Sequence, residues 1–146
     1  KSLLAENLSQ LNASNDLSSP DGLYFDPRGV LWIQTDDGAY TDTTNCMLLA
    51  ALPGKVSDGT LTTTSAGQQT PVGMLASDDN IKRFFVGPEG CEVTGITMTP
   101  DFKTLFINIQ HPGNTWGAIA GGKTPRSATV MITREDGDVI LAESFI

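Results

Sequence analysis

Two stretches of the chain, DGLYFDPRGVLWIQTDDG (Asp21–Gly38) and TGITMTPDFKTLFINIQHPG (Thr94–Gly113), have the same construction. Gly22 answers Gly95, Leu23 answers Ile96, Phe25 answers Met98, and Pro27 answers Pro100. After one inserted residue, Leu31-Trp32-Ile33 answers Leu105-Phe106-Ile107. Each copy reads as an apolar strand, a proline turn and a second apolar strand. Proline presets φ at the first corner, and a neighbouring Asp or Gly accepts the tight geometry that follows. The spacing therefore predicts a β-hairpin in each copy.

Two further apolar runs follow each hairpin. After the first come Cys46–Ala50 and Ile81–Val86; after the second come Ala128–Ile132 and Val139–Ala142. Asp136-Gly137 between the last two is a hairpin signal. Four strands in a row, a–b–c–d, are the pattern of a β-propeller blade. The expectation is an all-β fold of two antiparallel four-stranded blades, a partial propeller. Residues 20–87 form one blade and 88–146 the other. Residues 1–19 are a connector or the end of a preceding blade, with Leu3–Leu11 a short helix or an outer strand.

The two copies lie 73 residues apart (95 minus 22), longer than the ~40–50 of common propeller repeats. The excess is a Gly-, Ser- and Thr-rich insertion at 52–80, in which Leu61–Thr64 and Val72–Leu75 suggest a small hairpin. Two blades cannot close a ring of ~4–8. An open sandwich would leave apolar sheet faces bare, which favours a chain completed by the remaining blades of a larger protein.

Composition bounds the function. The 146 residues carry a net charge of -8, which argues against nucleic acid as a partner, because phosphate backbones are held by clustered Lys and Arg. No apolar run approaches the ~20 residues of a membrane span. The chain opens at Lys1 with no charged-then-apolar leader, so no targeting signal is visible. Cys46 and Cys91 are too few for a disulfide framework and lack CxxC spacing. Buried thiols are the plainer expectation; a disulfide or a metal-bound thiolate stays open.

Blade topology sorts the polar residues. In an up-and-down blade the b–c loop and the connection into strand a emerge at the same end. Asp21 and Glu92 enter strand a; Asp36, Asp37 and His111 follow strand b, so all five are expected on one face. Strand a is innermost, which places Asp21 and Glu92 nearest the axis. A ring of carboxylates there suits hard cations. Each Asp also has an ordinary use as a turn residue, and a single His is more often structural. Glu92 differs, because Glu is a poor turn former and its place beside an apolar strand costs desolvation unless a cation answers it. The Gly-rich loop 112–126 carries Lys123 and Arg126 and can fold over the same face. Its GAIAGGKT lacks the strand-to-helix context of a phosphate loop.

SSPDGLYFDPRGVLWIQTD (18–36) followed by FFVGPEGCEVTGITMTPDFKTLFINIQHPG (84–113) resembles the PhoX-type alkaline phosphatases, secreted bacterial β-propeller enzymes. The resemblance spans Ser18 to Ile146 without the insertion. It implies the C-terminal part of a phosphatase that hydrolyses phosphate esters at iron and calcium ions on the propeller axis, in the periplasm or outside the cell. Carried over, Glu92 in GCEVTG is the foremost metal ligand, with Asp21 and Asp36 beside it. His111 in IQHPG is a contact to substrate or to the groups around the metals, and Glu92 and His111 are the residues expected at the reaction centre. With most of the metal ligands elsewhere, the isolated chain is expected to be inactive. Two alternatives stand beside this: a non-catalytic propeller binding module, and a calcium-dependent lactonase-like hydrolase. Open sheet edges also make pairing between two copies plausible.

Overall fold

In the structure, a computed structural model, residues 10–36, 44–54, 61–71 and 73–141 are described. Their regular structure is all strand: β1 (Pro20–Phe25), β2 (Leu31–Thr35), β3 (Met47–Ala51), β4 (Leu61–Thr63), β5 (Gln69–Pro71), β6 (Ile81–Val86), β7 (Glu92–Met98), β8 (Thr104–Gln110) and β9 (Ala128–Thr133). The expected all-β, antiparallel class holds. β1-β2-β3-β6 form a four-stranded meander, β7-β8-β9 a three-stranded one, and β4-β5 a separate hairpin inside the β3–β6 connection. Every pairing is antiparallel.

The repeat is visible in the turns. Asp26 N–H donates to the Val30 carbonyl, and Gly29 N–H to that of Asp26, closing the first turn with Gly29 at φ +90°. In the second, Phe102 N–H donates to the Thr99 carbonyl, and Phe102 takes the left-handed place at φ +57°. A bulky residue there is strained. It is held by Arg28, whose guanidinium stacks 4.6 Å over the Phe102 ring.

The two sheets meet over one core. Trp32, Leu48 and Ala50 of the first sheet, with Val30 just before β2, pack with Val93, Leu105, Ile107 and Ile109 of the second, all nearly or fully buried. Trp32 meets Phe84 edge-on at 5.0 Å. At the proline-turn end of the core a polar pin joins the sheets. Buried Asp26 accepts from the Arg28 guanidinium at 2.7 Å and from Trp32 Nε1 at 3.2 Å. Arg28 reaches on to the Ile140 carbonyl at 2.7 Å. Across the other face of the first sheet, Ile33, Met47, Leu49 and Ala51 are covered in part by Leu17.

Two details correct the sequence expectation. The run Val139–Ala142 does not form a fourth strand over 139–141: Ile140 N–H donates to the Phe102 carbonyl, its own carbonyl is taken by Arg28, and Leu141 turns at φ +62°. That stretch plugs the core instead of extending the sheet, and Ala142 lies outside the described residues. In the insertion, the second strand of the small hairpin is Gln69–Pro71, and 73–75 form no strand, because a tight turn at Gly67 brings Thr64 back onto Gln68; Val72 lies outside the described residues. The expected helix or strand at Leu3–Leu11 falls mostly outside the described residues, as does Asp37.

Candidate metal centre

The end of the sheets opposite the proline turns gathers three of the five residues expected there from sequence; Asp37 lies outside the described residues. Glu92 is the first residue of β7 rather than part of the connection before it. Asp36 directly follows β2, and its N–H donates to the Ser19 carbonyl at 3.1 Å. His111 follows β8. One ligand atom from each of Asp36, Glu92 and His111 lies within 4.8 Å of the other two. Asp21 is not in that group. It sits within β1, at a bulge between Pro20 and Gly22, close enough for its charge to act on Glu92.

Glu92 is only 7% exposed, while Asp36 and His111 are open to solvent. Burial, together with the negative charges of Asp36 and Asp21, pushes the Glu92 carboxyl above its ordinary range; His111 opposes this. His111 Nε2 stands 3.6 Å from Glu92 Oε2. Gln110, the register partner of Glu92, donates from Nε2 to the same Oε2 at 2.7 Å.

His111 is held in an uncommon backbone conformation, φ +37°, by its N–H donating to Ser127 Oγ at 3.0 Å. Its Nδ1 lies 3.2 Å from the Gly90 carbonyl oxygen. That oxygen can only accept, so Nδ1 carries the hydrogen and, in the neutral ring, Nε2 keeps its lone pair toward Glu92. A second residue supplying the carbonyl that orients an imidazole is the usual arrangement around metal-binding histidines.

The donor set fits a metal ion. Ligands placed about 2.0–2.6 Å from one ion lie within about 5 Å of each other. Two carboxylates and an imidazole nitrogen meet that limit, and a cation among them would offset the crowding of negative charge that raises Glu92. Lys123 and Arg126 of the loop after His111 are exposed. Sequence reasoning missed Gln110 and Ser127. Their signals were positional: Gln110 stands directly before His111, and strand pairing sets it opposite Glu92.

The thiols occupy the same end, deeper in. Both Cys46 and Cys91 are 3% exposed. Gly87 N–H donates to the Cys46 carbonyl, and Cys91 Sγ fills the space where a Gly87 side chain would stand. Burial, then the neighbouring Cys46, pushes the Cys91 thiol up to about 12, which fits the expectation of buried thiols.

Among curated proteins none matches this chain. The solved structure of Pseudomonas fluorescens PhoX in complex with vanadate, a transition-state analogue, is similar at 40% identity with a TM-score of 0.59. That similarity covers 83% of this chain and 18% of the other, so the chain spans less than a fifth of that protein. Residues 2–113 match the family described as alkaline phosphatase PhoX. With well over half of its length matched, the chain belongs to the PhoX alkaline phosphatase family.

Proposed function

We propose that the chain supplies two neighbouring blades, and part of the metal centre, of a propeller phosphatase that hydrolyses phosphate esters. The observation that carries this is the convergence of Asp36, Glu92 and His111 at one end of the sheets in a chain of this family. Glu92 and Asp36 would hold calcium or iron through carboxylate oxygens, with Asp21 adding negative charge nearby. Bound there, such ions polarise a phosphoryl oxygen and offset the charge that develops in the transition state.

The protein's own groups have distinct parts in this. The Glu92 carboxylate is kept largely from water and fixed by its neighbours. His111, whose side chain is exposed, can bind the metal or contact the phosphate, and its tautomer is set by the Gly90 carbonyl. Substrate would approach from the open side, where Asp36 and His111 lie. Since family relatives of this kind are secreted, the periplasm or the medium is the expected compartment.

Three donors fall short of the six to eight oxygens that calcium takes. The remaining blades are therefore assigned the other ligands, and they would also cover Leu23, Phe25 and Met131, which stand 60–64% exposed on the sheet faces. The test is release of p-nitrophenol from p-nitrophenyl phosphate in the presence of calcium and iron. The full-length protein is expected to turn it over and the 146-residue chain is not. Turnover by the short chain would refute the shared metal centre, and a metal-loaded full-length protein without activity would refute the phosphatase reading.

A further inference from the structure

We infer that Gln110 is a positioning residue for the metal centre: it holds Glu92 as a one-oxygen ligand by occupying Oε2 and leaving Oε1 for the ion. This rests on the reading of Glu92 as a metal ligand. Two features of the fold carry it. First, Gln110 and Glu92 are opposite each other at the end of the β7–β8 pairing, so the backbone ladder sets their separation. Second, the Gln110 amide donates to Oε2 at 2.7 Å, and His111 Nε2 approaches that same oxygen at 3.6 Å. Of the two, only the Gln110 amide is within hydrogen-bond distance of Oε2, so it is the group that fixes that oxygen.

The chemistry follows from the donor inventory. An amide N–H occupies a lone pair without adding charge, so it turns the carboxylate without competing with a cation for it. A lysine or arginine at the same place would neutralise Glu92 and repel the ion. Gln110 itself is exposed and contributes nothing to the apolar core, which lies on the opposite face of β8 in Leu105, Ile107 and Ile109. Its side chain therefore has a polar partner on the site and no packing duty. Groups that orient a metal ligand in this way typically change metal affinity about 10–100-fold when removed.

The test is a titration of the full-length protein, stripped of metal, with calcium alone and with terbium as a luminescent substitute. It compares the natural protein with Gln110→Met, Glu92→Gln and the double variant. Gln110→Met keeps the length of the side chain and removes the donor. The expected result is a loss of affinity of about 10–100-fold for Gln110→Met. The double variant should then bind no more weakly than Glu92→Gln alone, because the amide acts only through that carboxylate. Infrared carboxylate bands of the loaded protein should shift from the one-oxygen to the two-oxygen pattern in Gln110→Met. Equal affinity and unchanged bands in Gln110→Met, with Glu92→Gln impaired, would overturn the role of Gln110 alone. Additive losses in the double variant would likewise overturn it, since they mark an effect outside Glu92. A Glu92→Gln variant that binds both ions normally would overturn the ligand reading and this inference together.

Discussion

Glu92 concentrates the chemistry at the scale of single residues. A glutamate beside an apolar strand is visible in the sequence, and its cost is a general one, but what answers it is not. That depends on the charge around it, which Asp36 and Asp21 make more negative from 56 and 71 positions earlier (92 minus 36, 92 minus 21), and on strand register. The raised carboxyl has a consequence for metal-free protein. A group that holds its proton more tightly when folded stabilises the fold below its ordinary value, 4.5, and that contribution is lost as pH rises from there through the raised folded value. Stripped of metal, the natural protein should lose urea resistance relative to Glu92→Gln between pH 4 and 7. A constant difference across that range would contradict the burial of Glu92 beside like charges. Cys91 gives a second residue-level check: with its thiol pushed up to about 12, it should resist iodoacetamide in the native protein at pH 8.5 and react after denaturation.

The hairpin repeat was largely legible at the scale of elements, because proline turns and alternating apolar residues are local signals. The match of Gly22 with Gly95 was also legible, but its reason was not. In both hairpins the glycine leaves room for the amide side chain opposite. A methyl at Gly22 would meet Gln34 Oε1 at 2.4 Å, and one at Gly95 would meet Asn108 Nδ2 at 2.1 Å. Gly95 also stands at φ +62° beside the β7 bulge. Gly95→Ala should therefore cost about 1–3 kcal/mol. Gly29→Ala, at φ +90° with open space around it, should cost only the backbone penalty of about 1–2 kcal/mol. Urea melts of the two variants make the comparison, and equal costs would show that the Asn108 contact is immaterial.

The stretch 139–141, which does not continue the second sheet, is the opposite case. Val139–Ala142 has the composition of a strand, yet tertiary partners override that preference: Phe102 and Arg28 claim the backbone of Ile140. The same pin yields a stability prediction. Asp26→Ala removes the acceptor for Arg28 and Trp32 and leaves a partly buried guanidinium without its anionic partner, which should cost about 3–5 kcal/mol in urea unfolding. A loss under about 1 kcal/mol would show that the pin does not hold the sheets together.

At the scale of the whole molecule, the repeat predicted that residues after strand b and at the start of strand a share an end, and Asp36, Glu92 and His111 do so. Any further ligands were not legible, because their identity depends on groups beyond the Asp36, Glu92 and His111 cluster. If this end of the sheets is part of a metal centre, the metal content of the protein depends on Glu92. Elemental analysis of the full-length protein, natural and Glu92→Gln, tests it most directly. Iron and calcium should be present in the natural protein, and a substantial share of the metal should be lost with Glu92. A natural protein that hydrolyses phosphate esters while holding neither metal would contradict it.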